Sequence, residues 1–234
     1  MDGTERQLTR KAQIAAASAA LVALLDKPLR VIPTCGGISK SKFVAGLQCA
    51  KRLFLQVHKP HLAKLTDQAN KDQGTALGVL ARNLFLGGAL VDVGRNGLAE
   101  AVGVTQELVK NAAVPAIFEA TFKRDGVLVQ VDVLLRGPKK YEFHLIEVKG
   151  STTVKPYHLY DLSIQRYVLQ SAGIRVRSNH LMHVNPGYVF DGDLELSKLF
   201  MIEEIQSDRL LTRSTVSEIL NDQYKILSQP EPPD

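Results

Sequence analysis

Tryptophan is absent from the 234 residues, and aromatic side chains make up only 6% of them. So few rings argue against a surface built to stack single-stranded bases. Cysteine occurs twice, at Cys35 and Cys49. That excludes a disulfide-dense secreted scaffold and a self-contained four-cysteine zinc site. Neither a phosphate-cradling glycine loop nor a Ser-His-Asp arrangement is evident. Long apolar runs are scarce too. The one candidate, residues 12–25 (AQIAAASAALVALL), is too short to span a membrane. Asp2 and Glu5 precede it and Asp26-Lys27-Pro28 follows, where a leader peptide would have a basic start and a small-residue cleavage pattern. The run is expected to be an N-terminal helix packed on the domain or on a partner. Its apolar character would support a homodimer, and no membrane contact is expected. A cytoplasmic setting, with both thiols reduced, follows from this reading.

What is present is ordinary in proportion. Apolar residues are 45% and charged residues 23%, enough for a chain of this length to bury a core without a disulfide or metal staple. Lys and Arg number 29 against 24 for Asp and Glu, a net charge of +5. That balance suits a polyanionic partner without requiring one.

Periodicity and breakers divide the chain. A helix is expected over 5–25, ending before Pro28, with an extended stretch and turn over 29–37. Ser39 can cap a helix over 40–57, where Phe43, Leu47 and Phe54 mark an apolar stripe, and Pro60 ends it. Further helices are expected over 75–86, stopped by Gly87-Gly88, and over 99–112. The character then changes. Residues 116–122, 127–135 and 141–149 are β-rich runs joined by the short turns KRDG and RGPKK, the pattern of an antiparallel meander. A helix over 157–171, a strand over 174–184, a helical stretch over 194–228 and a Pro-rich tail (QPEPPD) complete the chain. Helix, three strands, helix, strand implies an α/β fold around a mixed central sheet, because the last strand must cross over the helix. The boundaries are an N-terminal helical extension over 1–37, a main domain over 38–228 and a tail over 229–234.

The chemistry sits on the meander. Side chains alternate along a strand, so Tyr141, Phe143, Leu145, Glu147 and Lys149 share one face, with Ile146 and Val148 on the other. On the second strand Val127, Val129, Val131, Val133 and Leu135 share a face from which Asp132 points away. If the runs pair as a meander, Asp132 lies beside Glu147, with Glu119 of the first strand nearby. Carboxylates gathered at one place on a sheet repel one another unless a cation neutralises them. Hard divalent ions favour such oxygen donors. Lys149 on the same face could orient water and stabilise charge on a phosphate. Metal-assisted attack of water on a phosphodiester requires this set of groups.

Asp132, Glu147-Val148-Lys149 and Gln165 on the following helix resemble the motif of the PD-(D/E)XK nuclease superfamily, in its RecB-like branch, which includes the CRISPR-associated exonucleases. The block ISKSKFVAGLQCAKRLFL resembles the start of a bacterial family of uncharacterised proteins that carry this nuclease domain, and FEATF, VDVLL, IEVKGSTTVKPYHLYDLSIQRYVL and LMHVN resemble its later blocks. The resemblance covers roughly residues 38–190. It implies a restriction-endonuclease-like αβββαβ core with N- and C-terminal helical extensions, and a metal-dependent nuclease hydrolysing DNA, of exonuclease type. It implies that Asp132 and Glu147 bind Mg²⁺ or Mn²⁺ through their carboxylates, with the Val148 carbonyl as a further ligand and Glu119 as an additional acidic ligand. Lys149 would position the nucleophilic water. Gln165 would anchor the helix and assist at the phosphate. Tyr167 would contact DNA, which could be single-stranded.

Three departures from the pattern are visible. Gly74 is followed four residues on by Gly78, where RecB-like nucleases often carry a histidine. Leu169 replaces the tyrosine of the usual Gln-x-x-x-Tyr, and Tyr167 lies on a different helix face. Cys49 matches one cysteine of the iron–sulfur branch but no cysteine follows it, so no such cluster is expected in this chain. These departures keep a second expectation open: a catalytically weak or inactive DNA-binding or assembly module with the same fold. Lys40, Lys42, Lys51 and Arg52 could grip phosphates or simply form solvated helix faces. His58 and His61 are split by Pro60, and His180 and His183 fall on opposite strand faces, so neither pair is expected to ligate a metal.

Overall fold

The three β-rich runs form the expected antiparallel meander. In this computed structural model, which describes residues 37–62 and 68–234, β3 spans Ala116–Arg124, β4 Val127–Arg136 and β5 Glu142–Lys149. The β3–β4 turn is Asp125-Gly126, both with positive φ (51° and 75°), the backbone twist that lets a two-residue hairpin follow the twist of its strands. Short strands β1 (Ile38–Ser39) and β2 (Ala89–Leu90), a long β6 (Arg175–Val184) and β7 (Phe200–Ile205) complete a seven-stranded mixed sheet. Its order is β2-β3-β4-β5-β6-β7, with β1 pairing β4 off that path. Within this α/β fold β6 lies parallel to β5, so the helix between them makes the crossover that the order of elements required.

Seven helices are described: α1 Lys40–Gln48, α2 Ala50–His58, α3 Gln68–Arg82, α4 Val93–Lys110, α5 Pro156–Ser171, α6 Leu196–Leu199 and α7 Arg213–Leu227. One face of the sheet buries Phe118, Val133, Ile146, Met182 and Phe200 against Ala81 of α3, with Leu77 and Leu80 packed alongside. The other face carries Phe143, Leu145 and Glu147 beneath α5, whose Leu162, Val168 and Leu169 are fully buried. Along β4 the residues Val127, Val129, Val131 and Val133 are buried and Leu128, Gln130 and Asp132 between them partly exposed, the period-two pattern of a strand. Arg136 donates to the carbonyls of Leu108, Val109, Asn111 and Val114 at 2.8–3.2 Å, satisfying the open C-terminal end of α4.

The meander is not a flat ladder. Pairing between β4 and β5 runs from Arg136–Phe143 to Val133–Ile146 and stops. Beyond that point the β3–β4 hairpin runs on without β5, still paired to Arg124–Val127, and its tip is held against α5 and α7. Tyr224 of α7 donates to the Asp125 carbonyl (3.0 Å), Tyr167 of α5 donates to the Asp125 carboxylate (3.4 Å), and Arg124 donates to the Ser171 carbonyl (3.1 Å). The edge of β4 that β5 vacates is taken up by β1, which pairs Ile38 with Val127 and Ser39 with Leu128.

Several expected boundaries moved. The helix over 40–57 is two helices, because Cys49 takes an extended conformation (φ −164°, ψ 122°) and ends one as it begins the next. The helix expected over 75–86 begins at Gln68 and ends at Arg82, before the Gly87-Gly88 stop. The one expected over 99–112 begins at Val93 and is broken at Gly97 (φ 73°). The stretch 194–228, expected to be helical, contains β7. Phe200 and Ile205 of that strand are buried while the residues between them face out along the sheet edge, a pairing with β6 that local periodicity does not reveal. The expected helix over 5–25, Cys35 and the homodimer surface lie outside the described residues. Among the described residues no helix is long and apolar enough to cross a membrane.

Candidate active site

Register brings the expected acids together. Phe118 pairs with Val133 and Ala120 with Val131, which sets Glu119 across from Asp132. Val133 pairs with Ile146, which sets Asp132 level with Glu147. The row lies where β4 and β5 part, so the backbone N–H of Val148 has lost its strand partner. Asp132 Oδ2 accepts from it instead, at 2.7 Å. The Val148 carbonyl projects from the same strand edge as its N–H, into the same gap.

Glu147 is 1% exposed and is held at every side-chain oxygen. Its Oε1 accepts from Lys149 Nζ (2.7 Å) and from Lys40 Nζ (2.6 Å), and its Oε2 from Gln165 Nε2 (2.8 Å). Lys149 also donates to Asp161 Oδ2 (2.6 Å), and Gln165 Nε2 to the Asp161 carbonyl (3.0 Å). Asp161 and Gln165 are four residues apart on α5 and meet the strand from one helix face. The Oε1 of Gln165, wholly buried, has no hydrogen-bond partner.

The electrostatics follow from burial and like charge. Burial and the Glu147 carboxylate raise the Asp132 carboxyl to about 7, against the opposing pull of Lys40 and the Val148 N–H. Burial would raise Glu147 as well, but the ammonium groups of Lys40 and Lys149 outweigh it and hold Glu147 at about 2. Burial disfavours charge on Lys149, yet Glu147 and Asp161 more than offset it and keep the amine protonated above its ordinary range. At neutral pH Lys149 is therefore a hydrogen-bond donor and a positive charge, not a base. His158 ends up low, at about 4, because burial and Lys149 both oppose its protonation. Its neutral Nδ1 accepts from the Lys155 N–H (3.1 Å) and closes the first turn of α5.

The other expected site residues are engaged differently. Glu119 has a left-handed backbone (φ 54°), and its carboxylate pairs with Arg82 of α3 at 2.7 Å. It remains close enough to help raise Asp132. Among the described residues, no group of three or more His, Cys, Asp and Glu side chains is arranged to hold a metal ion. Tyr167 is 5% exposed and faces Asp125, so it offers no ring to a partner. Lys51 and Arg52 are exposed on α2, with Arg52 hydrogen-bonded to Gln48. His58 contacts the Leu227 carbonyl (2.9 Å) and ties α2 to α7.

Three members of the cluster had not been singled out for it: Asp161, Arg82, and Lys40 in the role it takes. The spacing of Asp161 from Gln165 was a usable signal. Lys40 reaches Glu147 across 107 positions of sequence, a contact that no local pattern announces.

No family model matches the chain, and no curated protein matches it. Among solved structures, one described as "Crystal structure of SSO0001" is similar to it, with 18% identity over 92% of this chain and 88% of that chain, at a TM-score of 0.43.

Proposed function

We propose that this chain is a divalent-metal-dependent nuclease that hydrolyses DNA phosphodiester bonds, a RecB-like member of the PD-(D/E)XK superfamily acting as an exonuclease. One observation carries the reading. Asp132 and Glu147 stand side by side at the point where two strands part, with the protonated Lys149 on the same face.

The donor set fits Mg²⁺ or Mn²⁺. Such ions are held by one or two carboxylates and keep their remaining positions for water and substrate phosphate. Asp132, Glu147 and the Val148 carbonyl would hold the ion. The raised Asp132 carboxyl supports this, since two buried acids this close favour a shared cation or a proton. A bound divalent ion supplies Lewis acidity to water and phosphate alike. Lys149 Nζ, fixed by two carboxylates, orients the attacking water and offsets charge on the phosphate. The unpartnered Gln165 Oε1 has one acceptor free for a water in the site. Glu119, held by Arg82, acts on Asp132 through its charge.

The test uses the purified full chain with Mn²⁺ and matched DNA and RNA strands. DNA should be degraded, and Asp132→Ala and Lys149→Ala should abolish the activity while far-UV circular dichroism is unchanged. Full activity in both variants removes the assignment.

A second reading, a DNA-binding module without catalysis, is favoured by one feature: both ammonium groups already sit on Glu147 Oε1, where an ion would need room. Tight, salt-sensitive DNA binding in EDTA with no cleavage in Mn²⁺ would select it.

A further inference from the structure

Glu147 Oε1 accepts two ammonium groups, and they are held very differently. Lys149 Nζ is clamped between Glu147 and Asp161, at 2.7 and 2.6 Å. Lys40 Nζ has one carboxylate at hydrogen-bond distance, Glu147 at 2.6 Å, although the two side chains are about equally exposed, at 23% and 21%. Moving Lys149 breaks two ion pairs; moving Lys40 breaks one.

The main chain around Lys40 does not depend on that contact. Ile38 and Ser39 pair with Val127 and Leu128, the Ile38 N–H donates to the Gly126 carbonyl (3.1 Å), and Ser39 Oγ accepts from the Lys42 N–H (3.4 Å). Lys40 is thus delivered to the gap between β4 and β5 by the strand that fills the edge β5 vacates. Its four-carbon stem can swing while its backbone stays in place.

We propose that Lys40 is an internal counter-ion for the Asp132–Glu147 pair, displaced from Glu147 by a divalent cation, and that its freed ammonium then binds a phosphate of the DNA substrate. The inference rests on the metal-dependent reading of the site and adds an order of events to it. With two donors already on Oε1, that oxygen has no lone pair left for an ion until one ammonium leaves, while Oε2 carries only the Gln165 donor. An ammonium left beside a doubly charged ion would also be repelled, so the weaker-held lysine goes. Once released, its ammonium is free to meet a phosphate that enters the gap beside the ion. Metal and DNA then favour one another through a single side chain, and the coupling is reciprocal.

Two binding measurements on the full chain test this, comparing wild type with Lys40→Met and Lys40→Arg. Calorimetric titration with Mn²⁺ alone should show Lys40→Met binding the ion about fivefold or more tighter than wild type, because the competing ammonium is gone. Fluorescence anisotropy with a labelled single-stranded oligonucleotide should show Lys40→Met weakened in Ca²⁺ and unchanged in EDTA. Lys40→Arg should keep most of the Ca²⁺-dependent gain. A structural ion pair would move neither measurement in this pattern. Mn²⁺ affinity equal to or weaker than wild type in Lys40→Met overturns the proposal, as does a loss of DNA affinity that is the same in EDTA and Ca²⁺. Should Lys40→Met fail to fold, Lys40→Gln replaces it and is read by the same two outcomes. Wild-type protein that binds no Mn²⁺ overturns the metal-dependent reading itself, and this inference with it. Metal binding with the wrong Lys40 pattern sinks this inference alone.

Discussion

The Asp132 carboxylate bonds the backbone N–H of Val148 across the gap where β4 and β5 separate, 2.7 Å from Oδ2 to nitrogen. One contact thus does two things. It satisfies a main-chain donor stranded by the end of a ladder, and it fixes an acid beside Glu147. The parting of β4 from β5 and the assembly of the site are one structural event.

Asp132 should be felt in the pH dependence of stability without metal. Its folded pKa, about 7, is raised above the ordinary value of 3.8. The protonated form favours the folded state, so this contribution is full below about pH 4 and is lost as pH rises through 7. Asp132→Asn keeps an acceptor for Val148 and removes the charge. In EDTA at pH 8 it should be more stable than wild type by about 1–2 kcal/mol in urea unfolding, the gap closing toward pH 4. Equal stability of the two proteins at pH 8 would contradict the burial argument.

Glu147 has the opposite sign. Its pKa is lowered to about 2, so its contribution is present above the ordinary 4.5 and fades as pH falls toward 2. Glu147→Gln strands the ammonium of Lys40 in a largely buried site and leaves Lys149 with Asp161 as its one carboxylate partner. The expected cost is about 3–5 kcal/mol at pH 7, measured by chemical denaturation.

Glu119 and Asp132 occupy the same row and should differ in weight. Asp132→Asn should abolish Mn²⁺-dependent DNA cleavage. Glu119→Gln, acting through a carboxylate already paired with Arg82, should cost about tenfold in kcat/KM. Equal losses would place Glu119 among the direct ligands.

Gly126 closes the hairpin with φ 75°, and a Cβ there would come 2.5 Å from the Tyr224 hydroxyl. Gly126→Ala should destabilise the fold by about 1–3 kcal/mol, through the left-handed backbone and the lost Tyr224–Asp125 contact. Thermal unfolding reads the stability. Cleavage should fall with it, since the tip anchors the hairpin that places Asp132.

The alternation of apolar and charged residues in 116–149 was sufficient to establish the three strands, the face shared by Glu147 and Lys149, and the opposite placing of Asp132 and the valines of β4. Those are local properties of an extended chain with period two. The four-residue step from Asp161 to Gln165 was equally local, and readable. What no window of sequence contains is the end of the β4–β5 ladder after Val133–Ile146, the strand β1 that covers the exposed edge, and the arrival of Lys40 at Glu147. The same holds for β7, a strand because β6 offered an edge, and for Glu119, drawn to Arg82 by a left-handed residue. Residue type and spacing determined which groups carry charge and which side of a strand or helix they occupy. Only tertiary structure decided which charges meet, because pairing energy in a buried site depends on distances between segments a hundred residues apart.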